Sequence, residues 1–375
     1  MMAKIFYSMA GEGRGHATRV RAVVEELRPR HEIVLFAPGD AHDLLEPVYR
    51  DTEVEVRRIP CMRFAYSQKR LNPFATAWSG AGYVARLPWL VDELRRQIER
   101  EAPDLVISDF EPALPRAAKR AGVPFISFDH QHFLSCCDLS MLPWSLRLRT
   151  SIWGLVVSGY FSGQAATIVS GFFKAPLKPK WGGRATQVGV LLRPEILSAD
   201  RASRGHLLVY LRKFGSGALL AALEEVGIPT IVYGLGERPT EGKLQFRAID
   251  EHRFLDDLAG CEAIVCTAGN QVVGEALYLG KPVLAMPEKE NHEQYVNAHF
   301  LRQSGAGDWV ELDRIDAAGI RAFLAKLDEW RSRIDVQWLN GNPAAIATLE
   351  RFLQTSARTE RSAGRAPATA ALAAR

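Results

Sequence analysis

Cysteine is scarce in this sequence. The five residues, at 61, 136, 137, 261 and 266, form no CxxC pair and no metal-ligand spacing. This excludes a disulfide scaffold and a structural zinc module, and no metal is expected. No run of 18 apolar residues occurs, and the nearest approach, 150–170, is broken by Ser, Gly and Gln. A membrane-spanning helix is therefore not expected. A GK[ST] phosphate loop and a GxGxxG fingerprint are both missing, which removes the two commonest nucleotide motifs. No basic stretch followed by an apolar leader precedes the strand-like Ala3–Met9. With an odd cysteine count, the expected location is the reducing cytosol.

A large charge of one sign is also lacking. The net charge is +4 and the pI about 8.8, but residues 356–375 alone hold four Arg against one Glu. The rest of the chain carries 43 basic against 42 acidic groups, a poor fit to a nucleic-acid binder.

What is present is enough for two cores: 375 residues, 47% apolar and 24% charged, with 30 Gly and 20 Pro. The first half alternates short apolar strands (KIFYSM, EIVLFA, VEVRRI, DLVISD, PFISFD) with amphipathic helices near 16–28, 87–101 and 113–122. After a charged break at 196–205 the pattern restarts with HLLVYL, TIVYGL, KLQFRAI, AIVCTA, PVLAMP and GDWVEL. Such alternation predicts parallel α/β sheets covered on both faces. The boundaries read as 1–195 and 206–355, followed by a tail at 356–375 expected to be disordered. The helices near 316–330 and 343–354 either stay with the second unit or lie back across the first. Ligands of such sheets bind beyond the carboxyl ends of the strands, and with two sheets the cleft between them is the expected site.

The loop GEGRGH (11–16) follows the first strand and opens the first helix. Gly13 and Gly15 permit a tight turn and close approach by a ligand, and they are assigned to the acceptor side. His16 is a candidate general base, or else a helix-start histidine bonded to backbone. Asp109 ends DLVISD and should emerge at the same sheet edge. It either orients the His16 imidazole or caps the helix that begins near Pro112.

The second half contains CTAGNQVVGEALYLGKPVLAMPEKENHEQYVNAHFLRQSGAG (266–307). This ordered series resembles the donor-binding half of the two-domain nucleotide-sugar glycosyltransferases with the B-type (GT-B) fold. It is similar in particular to the peptidoglycan-precursor N-acetylglucosaminyltransferases and their uncharacterised relatives. The resemblance implies two Rossmann-like domains facing a cleft, with the acceptor on the first and the nucleotide-sugar on the second. It implies that Ala268, Gly269, Asn270 and Gln271 meet the donor diphosphate, that Glu275 holds the ribose, and that Glu293 and Gln294 contact the transferred sugar. It also implies a His16–Asp109 base pair, metal-independent transfer with inversion, and a UDP- or dTDP-sugar as substrate with no cofactor.

Two departures from the family pattern stand out. The loop VYLRKFGSG (209–217) replaces a Gly-Gly-Ser-type turn, and Arg212 is assigned to the donor. The proline usual shortly after the histidine is missing, His16 being followed by ATRVR. A nucleotide-sugar hydrolase, a 2-epimerase and a non-catalytic nucleotide-sugar-binding protein share these signatures and stay open.

Asp129, His130 and His132 follow the fifth strand and are expected to line the acceptor pocket. Residues 57–86 hold six basic and no acidic groups, and 141–206 hold nine basic against two acidic. Beside the apolar stretch 130–161 this suits peripheral contact with the inner face of a membrane and a glycan or lipid-linked acceptor. A buried helix or a dimer face is the other reading of that stretch.

Overall fold

The computed structural model describes residues 2–11, 14–61, 66–67, 70–71, 73–160, 162–211, 217–289 and 291–363, and no side chains in 62–81, 160 or 356–363. Gly13, Arg212, the tail from 364 and most side chains of the basic stretch 57–86 thus lie outside the described residues.

The alternating pattern folds into two seven-stranded sheets. In the first, the strands run in the order 55–58, 32–37, 4–9, 105–109, 125–129, 166–170, 185–188, and every neighbouring pair is parallel. The strands 32–37, 105–109 and 125–129 are buried almost throughout, as a sheet covered on both faces requires. The second sheet orders its strands 238–241, 244–247, 230–233, 206–210, 261–266, 283–285, 307–309, and only the edge pair 238–241/244–247 is antiparallel. The strands Ala166–Ser170 and Ala185–Val188 complete the first sheet although neither was expected.

One boundary needs correcting. The final helix, Asn342–Ala363, belongs to the first sheet's core and not to a second unit ending at 355. Its apolar positions Ala345, Leu349 and Phe352 recur every three or four residues and pack against helix Arg14–Leu27. Glu350 at 3.1 Å from His31 and 2.6 Å from Arg30 fastens the other side. The first part of the expected disordered tail, up to Ala363, is helical.

The chain therefore crosses between the sheets twice, and the crossings touch. Val190 and Asn340 pair as a parallel bridge, and Gly341 N–H donates to Val190 O at 2.9 Å. Asn342 closes the contact in both directions with Leu192 at 2.8 Å. A side chain on Gly189 would come within 2.0 Å of Trp338 O, and one on Gly341 within 2.3 Å of Gly189 O, so glycine is required at both. One apolar cluster runs without a break from Phe133 and Phe173 on the first side to Phe300 and Leu301 on the second, with Phe173 and Phe300 stacked at 3.9 Å.

Candidate active site

Parallel pairing sets Met9 beside Asp109, so the two strands release their chains at one edge. Ala10 N–H donates to Asp109 O at 2.8 Å, and the helix starts at Arg14. His16 in its first turn then stands over Asp109, with Nδ1 3.0 Å from Oδ1. Asp109 is fully buried, whereas the His16 side chain is 15% exposed and no described residue bonds its Nε2. Phe110 follows at φ 59°, a left-handed conformation that strains a bulky residue directly behind the carboxylate. The helix-capping alternative for Asp109 fails because Glu111 fills that role. Its two oxygens accept from Ala113 and Leu114 N–H at 2.6 and 2.8 Å. Burial raises Glu111 above the usual carboxylate range, although these bonds oppose it. Gly15 lies in the helix with open space where a Cβ would stand.

Sequence reasoning missed Arg19, one turn beyond His16 on the same helix face. Its Nε donates to Asp109 Oδ2 at 2.6 Å and its Nη2 to Oδ1 at 2.5 Å. Burial opposes its charge, but Asp109, then Asp129 and Glu293, hold it protonated. Arg19 stands three residues after the histidine, inside the ATRVR segment where the usual proline is missing.

Asp129, His130 and His132 do not line an open pocket as expected, since each is at most 1% exposed. The strand end turns at once into helix Phe133–Cys136, which folds their side chains inward. His132 Nδ1 lies 2.7 Å from Asp129 Oδ2. Burial opposes ionisation of Asp129, but His132 outweighs it and holds the carboxyl below its ordinary range. His130 joins the sheets: Nδ1 donates to Ser170 O at 2.7 Å, and Nε2 lies 3.2 Å from Asn297 Oδ1. Burial lowers its proton affinity against the pull of Glu293.

The donor-side residues also gather at a strand end, after Cys261–Cys266, but several face the other domain. Asn270 Oδ1 accepts Phe172 N–H at 3.2 Å, and Gln271 donates to Leu191 O at 2.7 Å. Ala268 O accepts from Asn297 Nδ2 at 2.9 Å. Gln294 is turned back onto its own loop, bonding Glu288 N–H at 2.7 Å, while Glu293 stays one-third exposed.

Glu275 departs most from expectation. It is 2% exposed, and Arg193 grips its two oxygens at 2.9–3.2 Å. Arg193 also reaches Glu251 at 2.6 Å, and Glu251 meets Arg21 of the first helix at 3.0 Å. A ribose diol could meet Glu275 only by displacing Arg193.

A family model for glycosyl transferase family 1 matches residues 3–328. An uncharacterised glycosyltransferase of Methanosarcina mazei is 25% identical over 333 residues, covering 81% of this chain and 85% of that protein. The UDP-N-acetylglucosamine--N-acetylmuramyl-(pentapeptide) pyrophosphoryl-undecaprenol N-acetylglucosamine transferase of Cupriavidus metallidurans is 26% identical over 205 residues, 49% of this chain and 57% of its own length. Among solved structures, LpCGTa in complex with UDP superposes with a TM-score of 0.68 at 17% identity, covering 94% of this chain and all of that one. At that identity the likeness is one of fold.

Proposed function

The chain belongs to glycosyl transferase family 1, and from that premise we propose that it moves a sugar from a nucleoside diphosphate to an acceptor hydroxyl by inverting, metal-independent displacement, with His16 as general base. The observation that carries this reading is the His16 ring, backed by buried Asp109 at 3.0 Å and open on its far side. The acceptor oxygen attacks the anomeric carbon as the bond to the diphosphate breaks. Its proton passes to His16 Nε2, and the resulting imidazolium is stabilised by Asp109. The leaving diphosphate takes the bonding pair. Helix Asn270–Tyr278 supports its binding there, because Gly269 gives no side-chain cap to the first amides, which leaves them for an anion. Glu293, one-third exposed and with Oε1 4.0 Å from His130 Nε2, suits a sugar hydroxyl.

A panel of nucleotide sugars screened by thermal unfolding tests the donor. A UDP- or dTDP-sugar should raise stability, by about 2.7 kcal/mol at a concentration of 100 times its Kd. No response to any member would remove the donor reading. Donor consumption that ignores every added acceptor would replace transfer by hydrolysis.

The acceptor side suits an amphipathic, membrane-held molecule. Helix Trp144–Tyr160 buries Leu146, Thr150 and Val157 yet leaves Trp144, Leu148, Ile152 and Leu155 more than half exposed. Arg147 and Arg149 flank this stripe, and no acidic residue occurs from 139 to 194. Among the described residues no helix is long and apolar enough to cross a membrane, so the stripe would lie in the interface. The protein should float with vesicles containing phosphatidylglycerol and not with pure phosphatidylcholine, and Trp144→Ser with Leu148→Ser should abolish flotation. Equal flotation of that variant would rule out the helix as the docking surface.

A further inference from the structure

Arg19 Nη2 carries two hydrogens. One is committed to Asp109 Oδ1 at 2.5 Å. The second has two claimants: His16 Nδ1 at 2.8 Å and Gln131 Oε1 at 3.3 Å. His16 Nδ1 itself lies 3.0 Å from Asp109 Oδ1. A neutral imidazole has a single N–H, so Nδ1 cannot donate to Asp109 and accept from Arg19 at once. When Nδ1 accepts from Nη2, the ring proton sits on Nε2, and that nitrogen has no lone pair for an acceptor hydroxyl. When Nδ1 donates to Asp109, Nη2 must send its second hydrogen elsewhere. Gln131 Oε1 is the described group placed to take it.

We propose that Arg19 is a positioning residue that selects the tautomer of His16. Turned towards Nδ1 it holds the ring in the form that cannot act as a base, and turned towards Gln131 it frees Nδ1–H for Asp109 and opens Nε2. The hydrogens of a guanidinium are fixed in its plane, so the acceptor of the second one changes through a tilt of the whole group of Arg19, which is 4% exposed and gripped to both Asp109 oxygens, against the His16 ring. Gln131 sits between His130 and His132, next to the contact that joins the two sheets. This inference rests on His16 being that base, but its first readout does not need turnover.

The test is nitrogen NMR of the protein carrying ¹⁵N-histidine, with the His16 signals assigned through His16→Gln. The donor-free protein should show Nε2 protonated and Nδ1 without hydrogen. Arg19→Met should exchange the two signals, as Nδ1–H turns to Asp109. Arg19→Leu, which likewise has no N–H for Nδ1, should give the same exchange if the methionine variant does not fold. Nδ1 protonated both in the wild type and in these variants would overturn the proposal. In kinetics, Gln131→Leu removes the alternative partner and should lower kcat at least tenfold with donor KM unchanged, and Gln131→Glu, which restores an accepting oxygen, should recover it. An unchanged kcat in Gln131→Leu would overturn the role of Gln131. If the signals exchange as expected while His16→Ala keeps full turnover, the base assignment fails and the tautomer selection stands.

Discussion

His16→Ala should turn over about 10²- to 10⁴-fold more slowly, the usual contribution of a positioned general base, while donor affinity stays within twofold. The two effects separate because His16 belongs to the first sheet's edge, and the donor is proposed to lie on helix Asn270–Tyr278 of the second. Initial rates with saturating donor, beside a titration of the same donor followed by thermal shift, measure both quantities. Full turnover in His16→Ala would leave the Asp109 contact a purely structural one and would require another base.

Glu275→Ala should cost about 3–5 kcal/mol of stability, the usual consequence of removing one partner from a buried ion pair. Arg193 is 4% exposed, and burial opposes its charge, which Glu275 and then Glu251 sustain. Without Glu275 the guanidinium keeps, among the described residues, the partly exposed Glu251. Gln271 loses one of its two acceptors in the same step. Urea denaturation of the variant should show the midpoint falling with an unchanged slope. A normal midpoint with weakened donor binding would return Glu275 to the ribose role that the family resemblance implies.

Much of the architecture is legible in the sequence because it rests on local regularities. Continuous apolar runs such as DLVISD and AIVCTA mark strands covered on both faces, and the break near 196–205 marks the restart. The meeting of His16 with Asp109 follows from strand-end topology alone. Ala166–Ser170 escaped because five residues after an apolar helix blend into one stretch without a change of period. The return of Asn342–Ala363 to the first sheet was one of two readings the sequence left open, because an amphipathic stripe shows that a helix must be covered, but not by which core. The roles of Arg19, Arg193 and Gln131 depend on which side chains face one another across the fold. The order of residues does not carry that information.

The apolar cluster that runs from Phe133 to Leu301 has a consequence for engineering. Grafting the second half of a relative with another donor onto residues 1–195 would cut this cluster in two. It would also strip the paired crossings at Gly189 and Gly341 of their fitted partners. A chimera built that way should lose stability through the mismatched packing. Donor exchange in this scaffold has to proceed by resurfacing the cleft-facing positions one at a time, with Val190, Leu192, Ile196, Leu339 and the final helix kept as a single inherited block.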